Sequence, residues 1–229
     1  MEKFQAIYSR AAKRKGGAKQ LEKLLVKPKS KKELYALDDS RVLAELTKKV
    51  FQSGFVWRVV RQKWPNFEEV FWEFDIDKIL MMPDEMMEKK ATDPAIIRNL
   101  NKVRTIRSNA LMLKDIINEH GSVGKWLADW PQDDTIGLWN FLKAKGERLG
   151  GNTGPYALRA IGRDTYLVSR DVEAYFRAHK LIDGGINSKR SQTSIQACFN
   201  AWRDESNYSL QEISLLIAYS TGDNYVGIV

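Results

Sequence analysis

Thr135–Gly162 reads TIGLWNFLKAKGERLGGNTGPYALRAIG, and the class of fold turns on the five residues GGNTG at its centre, Gly150–Gly154. Helix-compatible residues flank the glycines on both sides, and Pro155 suits a first helical position, so the stretch predicts helix, glycine turn, helix. Glycines placed before a helix let backbone N–H groups converge on an anion, because a helix start carries partial positive charge and unsatisfied donors. A tight connector between two packed helices explains the same residues. A phosphate-binding P-loop would need a Lys after its last glycine and a parallel sheet behind it, and neither is present. The dinucleotide fingerprint fails for the same lack of strands.

The rest of the chain is also helical in pattern. In NKVRTIRSNALMLKDIINEHG, Asn101–Gly121, apolar residues recur at Val103, Ile106, Ala110, Leu113 and Ile117, and Gly121 supplies a stop. SRVLAELTKKVF, Ser40–Phe51, repeats the spacing with Val42, Leu43, Leu46 and Val50 behind a Ser40 cap. SKKE at Ser30–Glu33 and SLQE at Ser209–Glu212 have capping-box spacing. Prolines 65, 83, 94, 131 and 155 are expected between helices. Strand-like alternation never persists; TYLV, Thr165–Val168, is the nearest case. The expected class is all-α, with many short helices in three regions: a basic entry region 1–38, a helical body 39–185 and closing helices 186–229 that return to pack on the entry region. Two helical lobes with a cleft are expected.

Composition narrows the functional classes. At 229 residues and 43% hydrophobic content the chain can bury a real core. One cysteine, Cys198, cannot make an internal disulfide, and with two histidines it cannot complete the usual four-ligand zinc cluster, so no metal is expected. No apolar run approaches the roughly 20 residues of a membrane span, and Met1–Leu25 lacks a continuous apolar stretch, so the protein is expected in the cytoplasm, with no membrane partner. Residues 1–33 carry eleven Lys or Arg against three Glu, a balance of +8 that equals the net charge of the whole chain. Such a region attracts phosphates through counterion release, although lysine-rich ends are commonly just solvated.

Two further stretches carry a resemblance. SGFVWRVVRQKWPNFEEVFWEFDIDKI, Ser53–Ile79, has a Gly, a hydrophobe and a Trp ahead of a basic helix and an aromatic-rich FDI turn, and IIRNLNKVRTIRSNA, Ile96–Ala110, continues it. These segments resemble the 3-methyladenine DNA glycosylase I (Tag) family. The glycine turn likewise resembles the hairpin with which helix-hairpin-helix base-excision glycosylases grip one DNA backbone. The resemblance implies a helix-hairpin-helix glycosylase fold, excision of alkylated bases from double-stranded DNA, and phosphate contacts at Gly151, Asn152, Thr153 and Gly154. It implies that Trp57 stacks on the flipped base, with Phe55 and Tyr8 as weaker candidates for the pocket wall. Phe67, Phe71, Trp72 and Phe74 are better explained as core.

Three departures from the family pattern matter. The zinc ligands that tie the family's termini together are missing, which marks a zinc-free branch. Lys49, eight residues before Trp57, occupies the place where the family has a base-contacting Glu. Asp171 stands near the position of the superfamily's catalytic carboxylate, which the typical Tag sequence lacks; Ser169 fits that position equally well when Val172 and Tyr175 are aligned. Asp171 therefore has two readings, a catalytic carboxylate or the N-cap of the helix VEAYFRAH. Arg98, Lys102 and Arg107 are further candidates for backbone contact. Superfamily lyases carry a Lys about where Tyr156 stands, so a monofunctional hydrolase with no metal or organic cofactor is expected, acting as a monomer. A non-catalytic module binding damaged DNA, and a helical protein-interaction domain, remain open at this stage.

Overall fold

The structure, a computed structural model, describes residues 1–222. Its helices in chain order are α1 (Phe4–Arg14), α2 (Ala18–Glu22), α3 (Lys31–Tyr35), α4 (Asp39–Gln52), α5 (Trp57–Val70), α6 (Ile76–Met81), α7 (Asp84–Ala91), α8 (Leu100–His120), α9 (Val123–Asp129), α10 (Thr135–Lys145), α11 (Thr153–Ile161), α12 (Arg170–Ala178), α13 (Lys189–Ser206) and α14 (Leu210–Ser220). A short 3-10 turn, Trp72–Phe74, follows α5. No strand occurs among the described residues, so the all-α expectation holds. TYLV is an irregular connector, and its Tyr166 stacks flat on Phe199 with centroids 4.1 Å apart.

The chain divides into two compact units. One comprises Lys29–Trp130 and Leu138–Arg163. Its centre is the pair α4 and α8, whose residues at spacings of three and four, Val42, Leu43, Leu46 and Val50 with Val103, Ile106, Ala110 and Leu113, are all buried. Gly121 ends α8 at φ 89°. Two local expectations change. The cap of α4 is Asp38, whose carboxylate accepts the Ser40 N–H at 2.8 Å, because the helix starts one residue before Ser40. Pro65 lies inside α5. A mid-helix proline costs about 3 kcal/mol, and here it is offset by aromatic packing on both sides. Trp64 stacks on Phe67 at 5.3 Å and on Phe74 at 5.4 Å, with Phe71 fully buried beside them. The aromatic cluster is core, as expected, with Trp72 half-buried at its edge and Lys90 over its ring.

The second unit comprises Met1–Pro28, Pro131–Gly137 and the chain from Asp164. Helix α14, opened by the Ser209–Glu212 capping box, packs on α1, α12 and α13. The N-terminal segment is pinned by Glu2. Its carboxylate accepts two hydrogen bonds from Arg10, at 2.8 and 2.9 Å, and one from the Tyr175 hydroxyl at 2.8 Å. Its carbonyl accepts the Trp202 indole N–H at 2.9 Å. The Arg10 guanidinium, with help from Tyr175, holds the Glu2 carboxyl down at about 2. A carboxyl lowered on folding stabilises the fold fully above its unfolded value, about 4.3, and the contribution is lost as pH falls through the folded value. Between about pH 4.5 and 2 the protein should therefore lose stability through this group. Glu2→Gln should flatten that part of a denaturation-against-pH profile, and an unchanged profile would show that Glu2 contributes nothing.

Candidate active site

The helix-turn-helix predicted from the glycines is present, with α10 and α11 joined by Gly146–Asn152. Its turn reverses by means of Arg148 and Gly151, both in the left-handed region at φ 59°. Gly151 is exposed with open space around it, and Gly154 is needed for a different reason: a Cβ there would lie 2.6 Å from the Leu149 carbonyl oxygen. The Gly154 N–H donates to that same oxygen at 3.1 Å, and the Thr153 N–H donates to Gly150 at 3.3 Å. Gly151 and Asn152, both exposed, precede the first turn of α11, where unsatisfied N–H donors of a helix start collect.

Asn109 holds the turn from below. Fully buried on α8, it donates through Nδ2 to the Glu147 carbonyl at 3.2 Å and accepts the Glu147 N–H through Oδ1 at 2.8 Å. The sequence reading missed this residue. Its signal was present, since an Asn between Ile106 and Leu113 falls on the apolar stripe of the helix, where a polar side chain needs a partner.

Trp57 begins α5 immediately after the turn Ser53–Val56, and Phe55, Val56 and Trp57 are 44%, 60% and 43% exposed. Three consecutive exposed apolar residues contrast with the buried aromatic core that begins two turns further on, at Trp64. The indole of Trp57 meets the ring of Tyr156, on α11, edge-on at 5.8 Å and 85°. Lys49, in the last turn of α4, places its ammonium 5.5 Å from the Trp57 ring centroid and donates to Oε1 of the buried Gln52 at 3.0 Å. Burial is the main cause lowering the Lys49 pKa; the neighbouring Lys48 and Arg61 lower it further, and Glu45 acts in the opposite sense. Lys49, Trp57, Tyr156 and the glycine turn thus belong to one compact unit.

Other candidates take different places. Lys102 donates to the carbonyls of Phe51 and Ser53 at 3.1 and 2.7 Å, closing the C-terminus of α4. Arg107 is bonded to the Met82 carbonyl and to Asp84. Both are structural ties, so of the three cations proposed for backbone contact only Arg98, in the connector before α8, is exposed without such a tie among the described residues. Tyr8 lies in the other unit from Trp57. Its hydroxyl donates to Glu22 at 2.8 Å, and its ring packs with Phe4 and Tyr208.

The helix after the hairpin resolves one ambiguity around Asp171. The N-cap of α12 is Ser169, whose hydroxyl accepts the Val172 N–H at 3.3 Å, so Asp171 is not the cap. Asp171 sits half-buried in the first turn, where a carboxylate gains from the helix dipole. Its carboxylate lies against Gly222, where a Cβ would come within 2.6 Å of Oδ1. Asp164, the other carboxylate of this connector, accepts the N–H groups of Leu210 and Gln211 at 3.1 and 2.9 Å and so anchors the start of α14.

The zinc implied by the resemblance finds no fit. Among the described residues no three His, Cys, Asp or Glu side chains converge on a possible metal site, and burial pushes the Cys198 thiol up. Among the described residues no helix is long and apolar enough to cross a membrane.

The methyladenine glycosylase family model matches residues 33–144. The 8-oxoguanine DNA glycosylase of Methanocaldococcus jannaschii is similar in fold, with 17% identity, TM-score 0.58, and coverage of 94% of this chain and 93% of that one. The same organism's 8-oxoguanine glycosylase/lyase, in complex with a 15mer DNA, gives 17% identity and TM-score 0.50 over 93% and 96%. A 3-methyladenine DNA glycosylase I from Staphylococcus aureus gives 20% identity and TM-score 0.49 over 55% and 77%. No curated protein sequence matches significantly.

Asn109→Ala should cost about 1–3 kcal/mol, the range for removing one partner of a buried hydrogen bond, and should loosen the turn specifically. Amide hydrogen exchange at Gly150–Thr153 is expected to accelerate more than exchange in the α4–α8 core; uniform acceleration would remove Asn109 from its role in holding the turn.

Proposed function

We propose that this chain, whose residues 33–144 match the methyladenine glycosylase family model, is a DNA-repair glycosylase that hydrolyses the N-glycosidic bond of alkylated purines, the class to which 3-methyladenine belongs, in duplex DNA. The observation that carries the reading is the exposed Trp57 indole, held by Tyr156 from the helix that the glycine turn opens. An indole face stacks well on an alkylated purine, while turn amides and a helix start suit a phosphate of the same strand. Gly151, Asn152, Thr153 and Gly154 are the proposed phosphate contacts, and Phe55, exposed beside Trp57, borders the base. Tyr8 has its hydroxyl and ring engaged with Glu22, Phe4 and Tyr208, which argues for a packing role.

As the base leaves, positive charge develops on the sugar. A carboxylate about 4 Å away, at an effective dielectric near 20, stabilises that charge by on the order of 4 kcal/mol, roughly a thousandfold in rate. Asp171 is the proposed carboxylate, either facing the sugar directly or orienting the attacking water. Ser169 already caps α12, so capping does not account for Asp171. The reaction is monofunctional in this reading: Tyr156 offers no amine for a Schiff base, and the product is an abasic site. The enzyme acts as a monomer on DNA inside the cell.

Chromatography of bases released from methylated duplex DNA under single-turnover conditions tests the proposal. Wild-type protein should release alkylated purines, and borohydride should trap no covalent DNA adduct. Asp171→Asn should lower the rate about a hundredfold to a thousandfold with duplex affinity retained. Intact duplex binding with no base release would instead support a non-catalytic module for damaged DNA, and an unaffected Asp171→Asn rate would remove the carboxylate from the chemistry.

A further inference from the structure

Lys49 is unusual among the chain's partly buried lysines. Lys102 and Lys90 are also lowered chiefly by burial, yet both rest on backbone carbonyls, Lys102 on Phe51 and Ser53 and Lys90 on Val70. Lys49 has a single hydrogen-bond acceptor among the described residues, Oε1 of Gln52, and no carboxylate within ion-pairing distance. Glu45, the acid nearest in sequence, pairs with Lys48 at 3.8 Å. An ammonium carries three donors, so two N–H groups remain beside the exposed indole of Trp57. Half-burying a charge without an ion partner is costly, and the charge lies 5.5 Å from the centroid of that exposed ring.

We propose that Lys49 sets the substrate class at the Trp57 site: it selects purine lesions that are uncharged and present a lone-pair acceptor, a carbonyl oxygen or a ring nitrogen, to the ammonium. N-alkylated purines that carry a positive charge remain substrates but are released more slowly than these neutral bases. The inference rests on the reading above that the flipped base stacks on Trp57. Two unit charges about 5 Å apart at an effective dielectric near 20 repel strongly enough to cost on the order of a hundredfold in binding. The same ammonium donates a charge-assisted hydrogen bond to a neutral base, stronger than a neutral donor provides. Gln52, itself buried, accepts one of the three N–H groups and so restricts where the other two point. Ring-fused alkyl purines such as ethenoadenine, and deaminated purines such as hypoxanthine, have this chemistry; 3-methyladenine and 7-methylguanine in DNA are the cationic counterparts.

The test is single-turnover release from duplexes that each carry one of these four bases, using the full chain, Lys49→Gln and Lys49→Glu. Wild-type protein should release the neutral acceptors at least tenfold faster than the cationic bases. Lys49→Glu should reverse the order, and Lys49→Gln, which keeps the side chain's bulk near that of Lys without its charge, should bring the two classes within a few fold. Release of bases in a ratio that neither variant changes overturns the inference while leaving the glycosylase reading intact. Wild-type preference for the cationic bases likewise overturns it. Release of none of the four, with duplex binding retained, overturns both.

Discussion

A single buried amide determines where the site is built. Asn109 spends its donor and its acceptor on the backbone of one residue, Glu147, and this pair fixes the entry of the turn that leads to α11. The geometry of the proposed site follows from that placement. The turn reverses through Arg148 and Gly151, Gly154 closes on the Leu149 carbonyl, and α11 sets Tyr156 edge-on to Trp57. A misplacement of about an ångström in this turn would be large enough to spoil the alignment of a strand and a stacked base. Burying a polar side chain on the apolar stripe of α8 is affordable because both of its hydrogen-bonding groups are satisfied.

The aromatic residues divide their labour by burial. Trp64, Phe67, Phe71 and Phe74 stack on one another and are nearly or fully buried, and α5 continues through Pro65 beside them. Trp57, at the start of the same helix, keeps close to half its surface in solvent. In the other unit Glu2 ties α12 to the N-terminal segment through Tyr175, one turn after Asp171. A carboxylate proposed for chemistry is thereby carried on a helix fixed at a neighbouring turn, while its own helix cap is supplied by Ser169.

Much of this was legible in the residues. The helix-turn-helix, the all-α class, both capping boxes and the buried faces of α4 and α8 all follow from glycine placement and three-four periodicity, which are local properties. What escaped was non-local. Pro65 was expected to break a helix, because nothing local announces that stacked aromatics from the following 3-10 turn will hold it in place. Lys102 and Arg107 have the sequence of exposed helix cations, yet their partners lie 49 to 51 and 23 to 25 residues away. Asp171 and Ser169 both fit the superfamily's carboxylate position by spacing, and Asp171 also suits a helix cap; the Ser169 hydroxyl's bond to Val172 gives the cap to Ser169. Lys49 was visible as a departure from the family pattern, but its want of an ion partner appeared only in three dimensions.

The central claim is that a purine turned out of the duplex lies on Trp57 within reach of Lys49 while the glycine turn holds the strand. The most direct measurement is a crystal structure of the protein with a duplex containing a stable abasic-site analogue, soaked with hypoxanthine. The account predicts the purine stacked on the Trp57 indole, a carbonyl or ring nitrogen within hydrogen-bond distance of Lys49 Nζ, and a phosphate at the exposed Gly151–Asn152 end of the turn. A purine bound elsewhere, or a duplex bound with the turn facing solvent, would contradict it.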